Sequence, residues 1–264
     1  MARQADVAIV VLGESDAMVG ESRSRTSLDL PPRQLELAQA IHATGTPTVV
    51  VLLAGRALSI NWIAKHVPAI LLTSFPGEFG GLAVAETLFG DFNPGGKLAV
   101  TIPRTVGQIP WNFPTRQKAQ AAPTHECPPT MVHGSLFPFG FGLSYTTFRY
   151  ENIRINPKRQ DPDGIVRVSV DVVNTGARDG DEVVQVYVTD LLSSVVTYEK
   201  VLRNFERVSL KAGERRTVSF DLHREDFELL DLQMEWLVED GMFRVQVAGS
   251  SEDAGLSGEF EIRQ

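Results

Sequence analysis

The stretch VAIVVLGESDAMVGESRSRTSLDLPPRQLELAQAIHATG, residues 7–45, decides how the chain begins to fold. Residues 7–12 are apolar without interruption and Gly13 ends the run, the pattern of a strand buried on both faces. Residues 31–45 read as a helix: Pro32 suits the first turn, Leu35, Leu37, Ala38 and Ile41 supply an apolar face, and Gly45 suits the C-cap. About eighteen residues separate the two, where such a connection usually takes two to six. In an open parallel sheet, ligands bind beyond the carboxyl ends of the strands. The loop's Glu14, Asp16, Glu21 and Asp29 are therefore candidates for carboxylate chemistry. The pattern leaves a plainer reading open, a solvated loop whose acids pair with Arg23, Arg25 and Arg33.

Outward from this stretch, strand and helix patterns keep alternating. TVVVLLAG (48–55) and AILLTSF (69–75) read as further buried strands, and ALSINWIAKH (57–66) and FGGLAVAETLFG (79–90) as helices. Such alternation predicts a parallel sheet covered on both faces. Residues 91–142 are rich in Pro and Gly and predict loop with one short strand at most; 115–135 is polar, aperiodic and expected to be an exposed excursion. From about residue 143 the period changes to two. VRVSVDVVNTG (166–176), DEVVQVYVTD (181–190), VLRNFERVSL (201–210), RRTVSFDL (215–222) and GMFRVQVAGSS (241–251) are separated by turn signals such as Asn174-Thr175-Gly176 and Lys211-Ala212-Gly213-Glu214. This spacing predicts an antiparallel sandwich. The absence of a Cys…Trp…Cys pattern favours the fibronectin type III variant over the antibody one. The expected fold class is thus α/β plus all-β. An α/β domain occupies residues 1–114, a linker 115–142, and a fibronectin type III-like sandwich 143–264.

Composition narrows the function. The formal net charge is −8 with no basic stripe, which argues against a nucleic-acid partner. No apolar run approaches membrane-spanning length, and the N-terminal MARQADVAIVVLGES is not a signal peptide. Cys127 stands alone, and His42, His66, His125, His133 and His223 form no ligand-spaced pair, so neither a disulfide framework nor a metal site is expected. GDFNPGGK (90–97) fails as a phosphate loop because Gly96 displaces Lys97 and Leu98 fills the hydroxyl position; it reads as a turn. No GxSxG elbow is present, and Ser15 and Ser22 read as turn formers rather than nucleophiles.

Several blocks carry a resemblance. ADVAIVVLGE leads to GESRSRTSLDLPPRQLELAQAI, then PTVVVLLAGRAL, GGLAVAETLFGDFNPGGKLAVTIPRTVGQIP and LFPFGFGLSYTTFRY; VVNTGARDGDEVVQVYV, LRNFERVSLKAGERRTVSFDL and GMFRVQVAGSS follow. In this order the chain resembles the C-terminal portion of bacterial β-glucosidases of glycoside hydrolase family 3, of the periplasmic three-domain type. The resemblance implies an exo-acting retaining enzyme that takes a terminal β-D-glucosyl residue from a β-glucoside or oligosaccharide and needs no cofactor. Its nucleophile would come from an N-terminal (β/α)8 barrel in the same or another chain. Its general acid/base would come from the long loop, where Glu21 matches, with Glu14 at the strand end as the second candidate. A periplasmic or secreted location is implied for the full-length enzyme. The barrel and the first strands of the α/β domain have no counterpart in these residues, so the chain alone is expected to be inactive. Glu78 in FPGEFGG is displaced by one position from the family's usual glutamate, and no role passes to it.

The chemistry accounts for the loop length. A retaining glycosidase holds two carboxyl groups about 5–5.5 Å apart across the scissile bond. When they come from two domains, one must travel on a long arm. The acid must also stay protonated near neutral pH, through burial or a neighbouring negative charge. An arginine on Glu21 would oppose this, so Arg23 and Arg25 are expected to pair with Asp16, Asp29 or the barrel. The competing reading is a non-catalytic carbohydrate-binding or adhesion module, with Trp111 and Phe113, or Trp236, as an aromatic platform; core or domain-contact packing is the blander role for these rings.

Overall fold

The computed structural model describes residues 1–116 and 132–263. The expected excursion at 115–135, together with Cys127 and His125, falls largely outside the described residues. The chain divides into two units. The first contains Met1–Phe92 and Val100–Trp111 with residues 132–137; the second contains Asn93–Ala99 with residues 112–116 and 138–263.

In the first unit β1 (Ala8–Gly13), β2 (Thr48–Leu53) and β3 (Ala69–Leu72) form a parallel sheet in the order β1-β2-β3. Ala8 lies opposite Thr48, and Val49 opposite Ala69. Helices α1 (Gln34–His42), α2 (Asn61–His66) and α3 (Gly80–Phe89) follow the three strands. Gly90 closes α3 in the left-handed conformation at φ 83°, which a glycine adopts without a Cβ penalty. Because successive crossovers are right-handed, two connections that step the same way across a sheet put their helices on the same face. Val10, Leu12, Val50 and Leu52 accordingly pack with Ala38 of α1 and Ile63 of α2.

The opposite face corrects the sequence reading of the first strand. Ile9 is 48% and Val11 62% exposed, so β1 is buried on one face only. An apolar run reports that both faces are built for burial; the elements needed to cover the second face are not among α1 and α2.

The second unit is a sandwich. One sheet has the order β5-β13-β12-β7-β8, from Arg159–Gln160, Leu256–Ile262, Gly241–Ala248, Gly180–Asp190 and Val201–Leu210. The other has β4-β6-β9, from Phe148–Asn156, Val166–Asn174 and Arg215–Leu222. A two-stranded ribbon pairs β10 (Leu229–Leu230) with β11 (Trp236–Leu237). Alternate residues of both sheets, among them Val168, Val170, Val186, Phe220, Val245 and Phe260, close one core. The five strands expected from period-two patterning are all present. β4 and β13 were not foreseen. β4 carries a register shift between Glu151 and Arg154, with Asn152 at φ 55°, which breaks its alternation.

Residues 93–99 belong with this unit through side-chain bonds. Asn93 donates to the Asp179 carbonyl at 2.8 Å and accepts from Ser144 and the Tyr145 amide. Lys97 donates to the Gly142 carbonyl at 3.0 Å and pairs with the buried Glu182 at 3.1 Å. Burial pushes the Glu182 carboxyl up, and Lys97 opposes the shift. The GDFNPGGK stretch is thus a turn whose lysine is consumed by a carboxylate.

Candidate active site

The long loop starts at the carboxyl end of β1 and is closed at its base by one side chain. The Gln34 amide accepts from the Gly13 N–H and donates to the Gly13 carbonyl, each at 2.8 Å. Gly13 has φ 137°, and a Cβ there would lie 1.9 Å from the Leu53 carbonyl oxygen, so the close approach of β1 to β2 demands glycine.

Next to this base lies Glu14, whose side chain is fully buried. Arg25 Nη1 reaches its carboxylate at 2.9 Å and Arg56 Nε at 3.0 Å. Each guanidinium also donates to loop backbone. Arg25 Nη2 bonds the Asp29 carbonyl at 2.8 Å; Arg56 Nη2 bonds the Met18 carbonyl at 2.9 Å and the Arg23 carbonyl at 3.1 Å. Met18 and Arg23 flank the tip of the loop, so one arginine holds both sides of it. Arg23 Nη1 adds a bond to the Ala17 carbonyl at 3.0 Å. The planar fork of arginine suits this combination of carboxylate and carbonyl partners.

The tip is a reverse turn, Gly20-Glu21-Ser22-Arg23, closed by the Arg23 N–H on the Gly20 carbonyl at 3.2 Å. Ser22 sits at φ 60°, as the third position of a type II turn requires. Glu21 occupies the corner and is exposed. Among the described residues no hydrogen bond or ion pair engages its carboxylate. An open depression of about 320 Å³ is lined in part by Ser22 and Arg23 of the turn with Met18, Arg25 and Pro32.

The four acids singled out from the sequence thus separate by environment. Glu14 is the buried hub, Glu21 projects from the tip, and Asp16 and Asp29 serve local turns, Asp16 on the Ala17 N–H and Asp29 on the Ser27 hydroxyl. The expectation for the arginines needs correction in part. Neither touches Glu21, as expected, but Arg25 pairs with Glu14 and not with the carboxylates of Asp16 or Asp29, because Glu14 is the acid withdrawn from water at the strand end. Arg56 and Gln34 were missed. A signal for Arg56 exists in the register: Gly13 lies opposite Leu53, so residues just past the two strand ends are neighbours.

The aromatic candidates diverge as well. Phe113 is stacked on Phe139 with ring centres 4.6 Å apart and meets the edge of Tyr187, which commits it to packing. Trp236 is 65% exposed.

The Glycosyl hydrolase family 3 C-terminal domain matches residues 1–145, and a Fibronectin type III-like domain matches residues 182–251. A β-xylosidase of Formosa agariphila is 44% identical over 95% of this chain and 34% of its own length. A periplasmic β-glucosidase of Salmonella typhimurium is 40% identical over 99% of this chain and 35% of its own. Among solved structures, a β-glucosidase from Erythrobacter marinus superposes with a TM-score of 0.92 at 38% identity, over 99% of this chain and 35% of that one. The chain spans about a third of the length of the curated relatives it matches.

Proposed function

This chain belongs to glycosyl hydrolase family 3, as its C-terminal domain followed by a fibronectin type III-like domain, and from that premise we propose that it supplies the general acid/base of an exo-acting retaining β-glucosidase. The residue is Glu21. One observation carries the assignment: of the loop's two glutamates, Glu14 at the strand end is consumed by two arginines, while Glu21 is held at the corner of a braced turn with its carboxylate uncommitted. A group that must give and later take a proton cannot be locked in a permanent ion pair. A group that must reach a substrate carried on another domain belongs at the end of an arm.

The division of labour follows. A barrel in the same or another chain provides the nucleophile and most of the sugar-binding surface. Glu21 protonates the departing glycosidic oxygen, then deprotonates the water that releases the glycosyl-enzyme. Substrates are β-glucosides or short β-linked oligosaccharides attacked at the non-reducing end. The likeness to the periplasmic β-glucosidase of Salmonella typhimurium supports a periplasmic or secreted location for the whole enzyme.

The test joins this chain to the barrel of a related enzyme and compares Glu21→Ala with the unmodified fusion. The acid matters most when the leaving group is poor, because a good one departs without a proton. Hydrolysis of cellobiose should collapse, while glycosylation by a dinitrophenyl glucoside should be far less affected. Equal loss on both substrates would reject Glu21 as the acid.

A further inference from the structure

The tip of the acid/base loop is placed by hydrogen bonds and hardly at all by packing. Every one of residues 15–24 is exposed except Val19, which is partly buried. The bonds the loop makes to itself give the tip a shape. The Met18 N–H meets the Ser15 carbonyl at 2.9 Å, the Arg23 N–H meets the Gly20 carbonyl at 3.2 Å, and Arg23 Nη1 meets the Ala17 carbonyl at 3.0 Å. None of these fixes where that shape stands relative to the sheet. Among the described residues, one side chain from outside the loop bonds to residues 15–24, and it is Arg56.

Arg56 lies three positions beyond Leu53, where β2 ends. Its nitrogens divide their partners. Nε is anchored on the buried Glu14 carboxylate at 3.0 Å, at the end of β1. Nη2 reaches the Met18 carbonyl at 2.9 Å and the Arg23 carbonyl at 3.1 Å. Met18 precedes Glu21 by three positions and Arg23 follows it by two, so both legs of the turn that bears Glu21 hang from one nitrogen. Neither other arginine shares this role: Arg25 bonds the Asp29 carbonyl, past the tip, and Arg23 bonds within the loop. Misplacing a reacting group by about 1 Å can cost about 100-fold in rate. We propose that Arg56 is a positioning residue of the acid step, setting where Glu21 stands relative to the scissile bond. The inference rests on Glu21 as the acid/base.

Arg56→Lys tests it, because Arg56 serves Glu14 and the carbonyls through different nitrogens. A lysine has one nitrogen, which stays with the buried carboxylate and gives up the carbonyls. In the fusion with a related barrel, kcat/KM for cellobiose should fall about 100-fold. For a dinitrophenyl β-glucoside it should fall less than about fivefold, because that leaving group needs no proton. The ratio of the two values does not depend on how much protein is folded, so a merely structural arginine would leave it unchanged. Glu21→Ala runs alongside. If Glu21→Ala is selective for cellobiose and Arg56→Lys is not, the positioning role fails and the acid/base assignment stands; if Glu21→Ala is unselective, both fail. The brace is also read without turnover, in the unfused chain. Hydrogen exchange of the Arg23 N–H, which closes the turn, should quicken at least about tenfold in Arg56→Lys. Unchanged exchange there would overturn the proposal whatever the kinetics.

Discussion

Replacing Glu14 with alanine should destabilise the first unit heavily, although the residue takes no part in the proposed chemistry. Glu14 receives Arg25 at 2.9 Å and Arg56 at 3.0 Å on a fully buried side chain. Removing one member of a buried ion pair typically costs about 3–5 kcal/mol, because the partner charge is left uncompensated. The two arginine side chains keep 20% and 24% of their exposure, so water can partly resolvate them; the lower end, about 3 kcal/mol, is the appropriate figure. With a urea dependence of about 2 kcal/mol per molar, the midpoint should fall by about 1.5 M. Trp62 lies against the core of this unit, so its fluorescence reports the right transition once Trp111 and Trp236 are replaced by phenylalanine. The measurement belongs at submicromolar protein. Glu21→Ala, at an exposed position with no bond to lose, should shift the same transition by less than about 0.5 kcal/mol. Comparable shifts for the two variants would refute the division into a structural and a chemical glutamate.

The uncovered face of β1 should make the isolated chain self-associate, and Ile9→Thr with Val11→Lys should return it to a monomer in sedimentation velocity, since both side chains stand on that face. Hydrogen bonds from Asn152, then Arg154 and Thr217, hold the Asp171 carboxyl well below the usual carboxylate range. A carboxyl depressed by folding stabilises above its unfolded value of about 3.9, and the contribution is lost as pH falls through the folded value. Asp171→Asn should therefore lower the melting temperature of the sandwich at pH 7, by an amount that shrinks on acidification below about pH 4. Met234→Gly removes about 1–2 kcal/mol of left-handed strain and adds about 0.5–1 kcal/mol of unfolded-chain entropy, so it should raise stability by about 0.5 kcal/mol in urea unfolding.

Much of this was legible in the sequence because it was written in periodicity. Apolar runs marked β1 to β3, the first two closed by glycine, and period-two patterning marked β6 to β9 and β12. What periodicity could not express was coverage. Ile9 and Val11 look as buried as Val10 and Leu12 in the string, and only the order β1-β2-β3 reveals that α1 and α2 share one face. The loop shows the same limit at the level of charges. Four acids and three arginines announced ion pairing, but which acid would be withdrawn from water depended on the register that brings Arg56 beside the end of β1. Gln34, which closes the loop base, looked like an ordinary first-turn residue, because its task is set by Gly13, twenty-one positions away.

The most direct test of the account is azide rescue in the fusion of this chain with a related barrel. If Glu21 is the acid/base, Glu21→Ala should stall at the glycosyl-enzyme when given a dinitrophenyl β-glucoside, because no base activates the incoming water. Azide needs no such base, so it should restore turnover and yield β-glucosyl azide, identified by its anomeric proton coupling. Glu14→Ala should give no azide product beyond that of the parent fusion. Rescue of Glu14→Ala together with no rescue of Glu21→Ala would contradict the assignment and move the chemistry to the strand end.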